Sequence, residues 1–123
     1  MAKGFSQREG VDYFETFAPV VRYESIRILL AIAAKDDLEI AKFDVKTAFL
    51  HGDLQEEIYM QQPEGYIKNN GRQLVCKLLR SLYGLKQSPR CWNEKFVKFL
   101  ESFNLRATNG DKCVFAWLPW TSV

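Results

Sequence analysis

The chain has 123 residues, of which 47% are hydrophobic, and a formal net charge of +2. This length suits one small domain or a piece of a larger one, and the apolar content excludes a disordered chain. No apolar run reaches the roughly 18 residues of a membrane span, and no apolar segment follows Lys3 and Arg8 as in a secretion signal. The spacing of Cys76, Cys91 and Cys113 gives neither a disulfide framework nor a metal-binding pair. We therefore expect reduced thiols in a cytoplasmic or nuclear protein that is not secreted.

Charge is distributed unevenly along the chain. Residues 36–64 contain eight acidic residues against two basic ones, a local balance of −6, whereas residues 72–98 contain seven basic residues against Glu94, a local balance of +6. Such a division is compatible with a cation-binding region beside a polyanion-binding one, and also with two ordinary solvated faces. The charge pattern alone leaves both interpretations open.

Hydrophobic spacing predicts a mixed α+β fold. Residues 1–21 contain short apolar groups broken by glycine and proline, which is typical of a strand end and an extended loop. Over residues 25–35 apolar side chains recur at helical spacing, and over residues 41–45 they alternate as in a half-buried strand. Further short strands are predicted at residues 58–60, 73–82 and 113–117.

The clearest helical pattern begins at Ser88 and Pro89, which suit the N-cap and the first helical position. Apolar residues follow every three or four positions, namely Trp92, Phe96, Phe99, Leu100 and Phe103. This spacing predicts a helix over residues 89–104 with one apolar face, which we assign to the core rather than to a ligand site.

Asp44 ends the predicted strand, where its carboxylate can project into a crevice. Mg²⁺ takes one or two carboxylates together with substrate phosphates, so this position suits phosphoryl transfer. A solvated aspartate at a strand end is the alternative from the pattern alone. We expect a partly exposed Asp44 at the carboxyl end of a central strand, with Ala41, Phe43 and Val45 on the core face.

A second group of residues surrounds Gly84. A glycine allows the backbone to approach a ligand closely, and Lys86 and Arg90 flank the start of a predicted helix, whose free amides favour anions. A phosphate of a nucleotide or of a nucleic acid would fit there. A plain strand-to-helix connection explains the same pattern.

Taken together, five stretches resemble the copia-type reverse transcriptase family in sequence, order and spacing. They are residues 2–7, 13–20, 43–52, 58–66 and 81–92. The resemblance covers residues 2–115 and implies part of a right-hand polymerase, in which a ferredoxin-like palm sheet packs on helices. It assigns residues 1–24 to a remnant of the fingers and residues 25–115 to fingers and palm, and it leaves residues 116–123 as a divergent tail.

The resemblance also implies roles for single residues. Asp44 matches the first catalytic aspartate, a Mg²⁺ ligand for the attack of a primer 3′-hydroxyl on a dNTP, and Phe49 matches the aromatic residue that excludes ribose. Positions beside the dNTP or the template are matched by Val45, Thr47, Ala48, Tyr83, Gly84, Lys86, Ser88 and Pro89. Contacts with nucleic acid are expected from Lys77, Arg80, Lys86 and Arg90. The implied partners are an RNA or DNA template-primer, dNTP and the rest of a Pol polyprotein in a virus-like particle, with no membrane.

Departures from the family pattern predict that the chain is truncated and inactive alone. No Asp-Asp pair follows Asp36-Asp37, so the family's Tyr-Val-Asp-Asp segment has no counterpart. Two-metal catalysis needs several carboxylates to hold ions ~3.5–4 Å apart. The alternatives are a nucleic-acid-binding remnant that uses residues 72–98, or a degenerate product without a role. We also expect poor solubility, since a truncated sheet exposes an edge and an apolar face.

Overall fold

A computed structural model describes residues 1–68 and 74–117 of the chain. These residues form a mixed α+β structure, as the sequence predicts. Its elements in chain order are a 3-10 helix (Gly4–Ser6), α1 (Tyr23–Lys35), a second 3-10 helix (Ala48–His51), β1 (Tyr59–Gln61), β2 (Val75–Lys77), α2 (Ser88–Ser102), β3 (Leu105–Ala107) and β4 (Phe115–Trp117). Neither α-helix of this described part is both long and apolar enough to cross a membrane.

The chain divides into two compact units, and unit 1 comprises Met1–Phe17 and Thr47–Lys95. Its strands β1 and β2 pair antiparallel, with Met60 opposite Cys76. The buried apolar residues of the described chain, namely Ile58, Leu85 and Cys91, all belong to this unit. The unit therefore has a small core, formed where the first turn of α2 meets the segments that precede it.

Polar residues complete the core of unit 1. The hydroxyl of Ser81 donates to the hydroxyl oxygen of Ser88 at 2.8 Å, and the Ser88 hydroxyl donates to the Leu82 carbonyl at 2.7 Å. Both serines are buried. Because each hydroxyl has a partner, their burial does not carry the cost of an unsatisfied polar group.

Unit 2 comprises Ala18–Lys46 and the described residues from Phe96 onward. Its strands β3 and β4 form an antiparallel hairpin, and the loop between them carries the buried Asp111. The Asp111 carboxylate accepts the Ser25 hydroxyl at 2.6 Å and the Arg22 amide at 3.0 Å. These hydrogen bonds lower the pKa of Asp111 from 3.8 to about 2. Since Arg22 precedes α1, Asp111 caps the start of that helix from a distant part of the sequence.

The prediction of a strand at residues 41–45 is wrong, since this segment has no regular secondary structure. Phe43 and Val45, expected on a core face, are 89% and 44% exposed. Alternation specifies a strand only when a neighbouring strand supplies hydrogen bonds and an apolar surface covers one face. Within the described ranges no strand pairs with residues 41–45. The expected central strand bearing Asp44 is therefore not found.

Other elements agree with the sequence prediction except at their ends. Helix α2 begins at Ser88, so Ser88 is a helical residue and not the N-cap. The strand predicted at residues 73–82 is limited to β2, with residue 73 outside the described residues, and β1 begins one residue later than predicted. The strand β3 was not predicted. The tail prediction at residues 116–123 falls mostly outside the described chain.

Apolar side chains of the helices are more exposed than their spacing predicts. In α2, Phe99 and Phe103 form an aromatic pair with ring centroids 5.1 Å apart, yet they are 57% and 60% exposed. Their assignment to the core is wrong. Helix α1 has no buried residue at all. Such surface is consistent with poor solubility, which stays a prediction.

Candidate functional site

Asp44 lies in unit 2 with an exposed side chain, and so does its neighbour Val45. In residues 1–68 and 74–117 no group of three or more His, Cys, Asp or Glu is placed to hold a metal ion. Asp44 can supply one oxygen ligand to Mg²⁺, but a two-ion site needs several carboxylates. The described residues therefore do not fit a complete catalytic metal site.

The remaining predicted residues belong to unit 1, and the structure brings Phe49 and Tyr83 together there. Their ring centroids are 4.9 Å apart and the rings are tilted by 52°. Thr47 adopts a positive φ of 53°, which is rare for a β-branched residue, and the one-turn helix Ala48–His51 follows it. This turn carries the half-buried Phe49 to Tyr83.

Gly84 occupies a turn that the N-terminal segment contacts closely. The Ala2 amide donates to the Tyr83 carbonyl at 2.7 Å. Gly84 has a φ of +98°, and a Cβ on it would lie 2.1 Å from the Ala2 carbonyl oxygen. A Cβ on Gly4 would lie 1.9 Å from the Gly84 carbonyl oxygen. The close approach at Gly84 is therefore made by residues 2–4 of the same chain, and the expected approach of a ligand stays a prediction.

Two glutamines that sequence reasoning missed hold the same turn. The side-chain amide of the fully buried Gln87 donates to the Asp12 carbonyl at 3.0 Å and accepts a hydrogen bond from Gln7 at 3.0 Å. The Gln7 oxygen accepts the Lys86 amide at 2.8 Å. The Lys86 amide, two residues before α2, is thus already bonded within the chain. The only signal in the sequence was a long polar residue between Lys86 and Ser88.

These contacts predict a specific effect of Gly4→Ala. The new methyl group meets backbone rather than a flexible side chain, so we expect a loss of about 2 kcal/mol and faster hydrogen exchange at the Ala2 amide. Gly10→Ala is the matched control, since Gly10 has a φ of +76° but its added methyl group would meet no atom of the described chain within 4 Å beyond its chain neighbours. It should cost about 1 kcal/mol through φ alone and leave the Ala2 amide protected. An equal rate of hydrogen exchange at the Ala2 amide in both variants would contradict the close approach of residues 2–4 to Gly84.

Lys86 has an exposed side chain that lies against Tyr13. Its Nζ atom is 4.9 Å from the centroid of the Tyr13 ring and 3.2 Å from the Tyr13 hydroxyl. This is a cation–π geometry, which leaves the positive charge partly available to an anion. In the described part of the chain no carboxylate forms an ion pair with Lys86. Arg80 is likewise exposed, and Pro89 is exposed in the first turn of α2.

Other basic residues of the 72–98 stretch are paired with carboxylates. Lys77 forms an ion pair with Glu57, and this contact lowers the pKa of the Glu57 carboxyl. Lys95 lies 2.7 Å from Asp53. Both pairs are exposed, so each contributes little to stability. They do reduce the positive charge that this stretch presents to a phosphate backbone.

Arg90 is the centre of a partly buried ion-pair cluster. Its guanidinium lies 2.8 Å from Glu94 and 3.1 Å from Glu56, and its Nε donates to the Glu15 carbonyl at 3.0 Å. The Arg90 side chain is 13% exposed and that of Glu56 is 8% exposed. The second Glu56 oxygen is buried without a hydrogen-bond partner in the described chain. The contact of Arg90 with nucleic acid stays a prediction, and it would require these ion pairs to open.

The sequence profile of the reverse transcriptase (RNA-dependent DNA polymerase) family matches residues 1–118. The chain belongs to this family. It is 54% identical over 115 residues to the retrovirus-related Pol polyprotein from transposon TNT 1-94 of Nicotiana tabacum, a match that covers 94% of the chain and 9% of that relative. The Pol polyproteins from transposons RE1 and RE2 of Arabidopsis thaliana are 43% and 41% identical, and each match covers 94% of the chain and 8% of the relative.

This reverse transcriptase segment thus spans less than a tenth of the length of these curated relatives. No solved structure matches it. The resemblance to copia-type reverse transcriptases is confirmed. The division into fingers and palm, and the roles of single residues, stay predictions.

The reverse transcriptase segment also contains a cleft of about 890 Å³ within unit 1. Its walls include Lys3, Gln7 and Asp12 on the N-terminal segment and residues 58–64 around β1. None of the predicted site residues lines it. Sequence reasoning missed this cleft, because its apolar wall residues have the pattern of an ordinary strand and turn.

Proposed function

We propose that this reverse transcriptase segment contributes part of an RNA-directed DNA polymerase within a Pol polyprotein. The observation that carries the proposal is the family match over residues 1–118. The proposed reaction transfers a nucleotide from dNTP to the 3′-hydroxyl of a primer on an RNA or DNA template. Divalent ions would be required, and carboxylates other than Asp44 would come from other parts of the polyprotein.

Within that polymerase, Asp44 is our candidate for one metal ligand and Phe49 for the residue that excludes the ribose 2′-hydroxyl. The contact between the Phe49 and Tyr83 rings supports the second role, since a ring packed at 4.9 Å against another has little freedom to move aside. Residues around these two would form the surroundings of the nucleotide, namely Val45, Thr47, Ala48, Gly84, Ser88 and Pro89. The exposure of the Lys86 side chain supports a contact with a phosphate of the template or the nucleotide.

We also propose that the chain alone is inactive. Asp44 is one carboxylate, and no Asp-Asp pair occurs after residue 37 to complete a two-ion site. The alternative of a nucleic-acid-binding remnant receives less support from the structure. Lys77, Arg90 and Lys95 have carboxylate partners, which weakens the electrostatic attraction that dominates nonspecific binding.

An exchange experiment tests the proposal. The matching 115 residues of the tobacco relative's Pol polyprotein are replaced by those of this chain, giving an exchange polyprotein. We expect it to extend a primer on an RNA template with Mg²⁺, and the chain alone to incorporate no dNTP with Mg²⁺ or Mn²⁺.

The unaltered tobacco polyprotein serves as the positive control in the same assay. A folded exchange polyprotein that extends no primer would contradict the proposed function. Template-dependent extension by the chain alone would instead contradict its proposed inactivity. The two outcomes concern different proteins and can be read separately.

A further inference from the structure

One face of helix α1 is exposed along its whole length. It is formed by Glu24, Ile28, Ala31 and Lys35, all exposed, with Ile28 at 59%. At 3.6 residues per turn these four side chains lie within about 60° of one another and form a single row. Their spacing of four, three and four residues is that of a coiled-coil seam, so we call this row the α1 seam.

Apolar residues surround α1 on nearly every side. Besides Ile28, the exposed large apolar residues of the helix are Tyr23, Ile26, Leu29, Leu30 and Ile32. A helix that is apolar around most of its circumference is normally covered by other protein. The α1 seam therefore has reason to bind a partner surface.

The ends of the α1 seam carry opposite charges, with Glu24 in the first turn and Lys35 in the last. Neither residue forms an ion pair in the part of the chain that the structure describes. Between them lie one large residue, Ile28, and one small residue, Ala31. When two α1 seams lie antiparallel, the acidic end of one faces the basic end of the other. The large residue of one then faces the small residue of the other.

We propose that α1 pairs antiparallel with α1 of a second copy of this chain. A two-fold axis between Leu29 and Leu30 places Glu24 opposite Lys35 of the second copy, and the same axis places Ile28 opposite Ala31. Both contacts have the same axis, because the midpoint between Glu24 and Lys35 along the helix is also the midpoint between Ile28 and Ala31. Each contact occurs twice, as a two-fold interface requires.

Neighbouring side chains fit the same arrangement. Arg27 flanks the α1 seam beside Ile28, where its aliphatic stem can cover apolar surface while its charge stays in water. Ala31 allows the helix backbones to approach closely beside Ile28. Antiparallel pairing also sets the helix dipoles in opposite directions, so that unlike partial charges meet at both ends.

The α1 seam is small, which limits the affinity. A helix of 13 residues is about 20 Å long and presents less than the ~800 Å² per partner of a typical stable interface. We therefore expect a reversible dimer with a dissociation constant on the order of 100 µM.

Sedimentation equilibrium of the full chain, over about 10 µM to 1 mM, measures this association. Ile28→Glu places a charge at the centre of the seam and should raise the dissociation constant at least tenfold. Leu30→Glu is the matched control, since Leu30 is 51% exposed but lies about 130° away around the helix. It should change the constant by less than twofold. Circular dichroism checks that each variant keeps its helix content.

Charge exchange provides a second, independent test. Glu24→Lys and Lys35→Glu each create two like-charge contacts per dimer, so each should raise the dissociation constant about fivefold. The double variant reverses both charges and should restore the original value. General apolar adhesion would not respond in this way, because the double variant has the same composition as the original chain.

Several results would overturn the proposal. They are a monomer throughout the concentration range, equal effects of Ile28→Glu and Leu30→Glu, and a double charge variant that remains weakened. Hydrogen exchange of α1 decides whether another part of a Pol polyprotein covers the helix instead. Amides protected in the exchange polyprotein, together with a monomeric isolated chain, would assign the α1 seam to that neighbour.

Discussion

Replacing Arg90 by alanine is expected to destabilise unit 1 by about 3–5 kcal/mol. Arg90 pairs with Glu56 and Glu94 and donates to the Glu15 carbonyl, so its loss leaves a buried carboxylate without a cation. Glu56 is the critical partner, because its side chain is 8% exposed and one of its oxygens has no hydrogen-bond partner among the described residues. The magnitude reflects the cost of an uncompensated buried charge rather than the net contribution of the ion pair itself.

Hydrogen exchange at amides of unit 1 measures the effect. The Ser81 amide, bonded to the Gly52 carbonyl at 2.9 Å, should exchange about a hundredfold faster or more in Arg90→Ala. Lys95→Ala is the matched control, since it breaks an exposed pair with Asp53 and should cost less than about 1 kcal/mol. Combining Arg90→Met with Glu56→Leu should recover part of the loss, because no charge is then left buried. Equal exchange rates of the Ser81 amide in Arg90→Ala and Lys95→Ala would show that the ion pairs of Arg90 are broken in solution.

Arg90 also shows where the sequence stops being informative. A basic residue near a helix start suggests an anion site, and the sequence does not reveal the carboxylates that already pair with it. Two of its partners, Glu56 and the Glu15 carbonyl, lie 34 and 75 residues away in the chain. Gln87 presents the same difficulty, since its partners Gln7 and Asp12 belong to the N-terminal segment. Local patterns predict neither pairing.

Local features of the fold were predictable. Helical spacing identified α1 and α2 to within two residues at each end, because that spacing reflects which side chains share a face whether or not a partner covers it. The prediction of a strand at residues 41–45 was wrong for the converse reason. A strand exists through hydrogen bonds to a neighbour, and alternation along one segment contains no information about that neighbour.

The family resemblance points to Asp44 where the fold alone does not. Asp44 is exposed in an irregular segment, so Asp44→Asn should change stability by less than about 0.5 kcal/mol. The substitution keeps the shape of the side chain and removes its charge. A loss of activity in this variant would therefore report on chemistry and not on folding.

In the exchange polyprotein, Asp44→Asn is expected to reduce primer extension at least about a thousandfold, equivalent to ~4 kcal/mol of barrier. An amide is a poorer Mg²⁺ ligand than a carboxylate, and the missing charge acts in the transition state, so kcat should fall while template affinity stays nearly constant. Asp37→Asn is the matched control, because it removes the same charge from the turn after α1 and should retain near-full activity. Retained extension by Asp44→Asn would reject its role as a metal ligand. Equal losses in both variants would point to the summed negative charge of residues 36–64 instead.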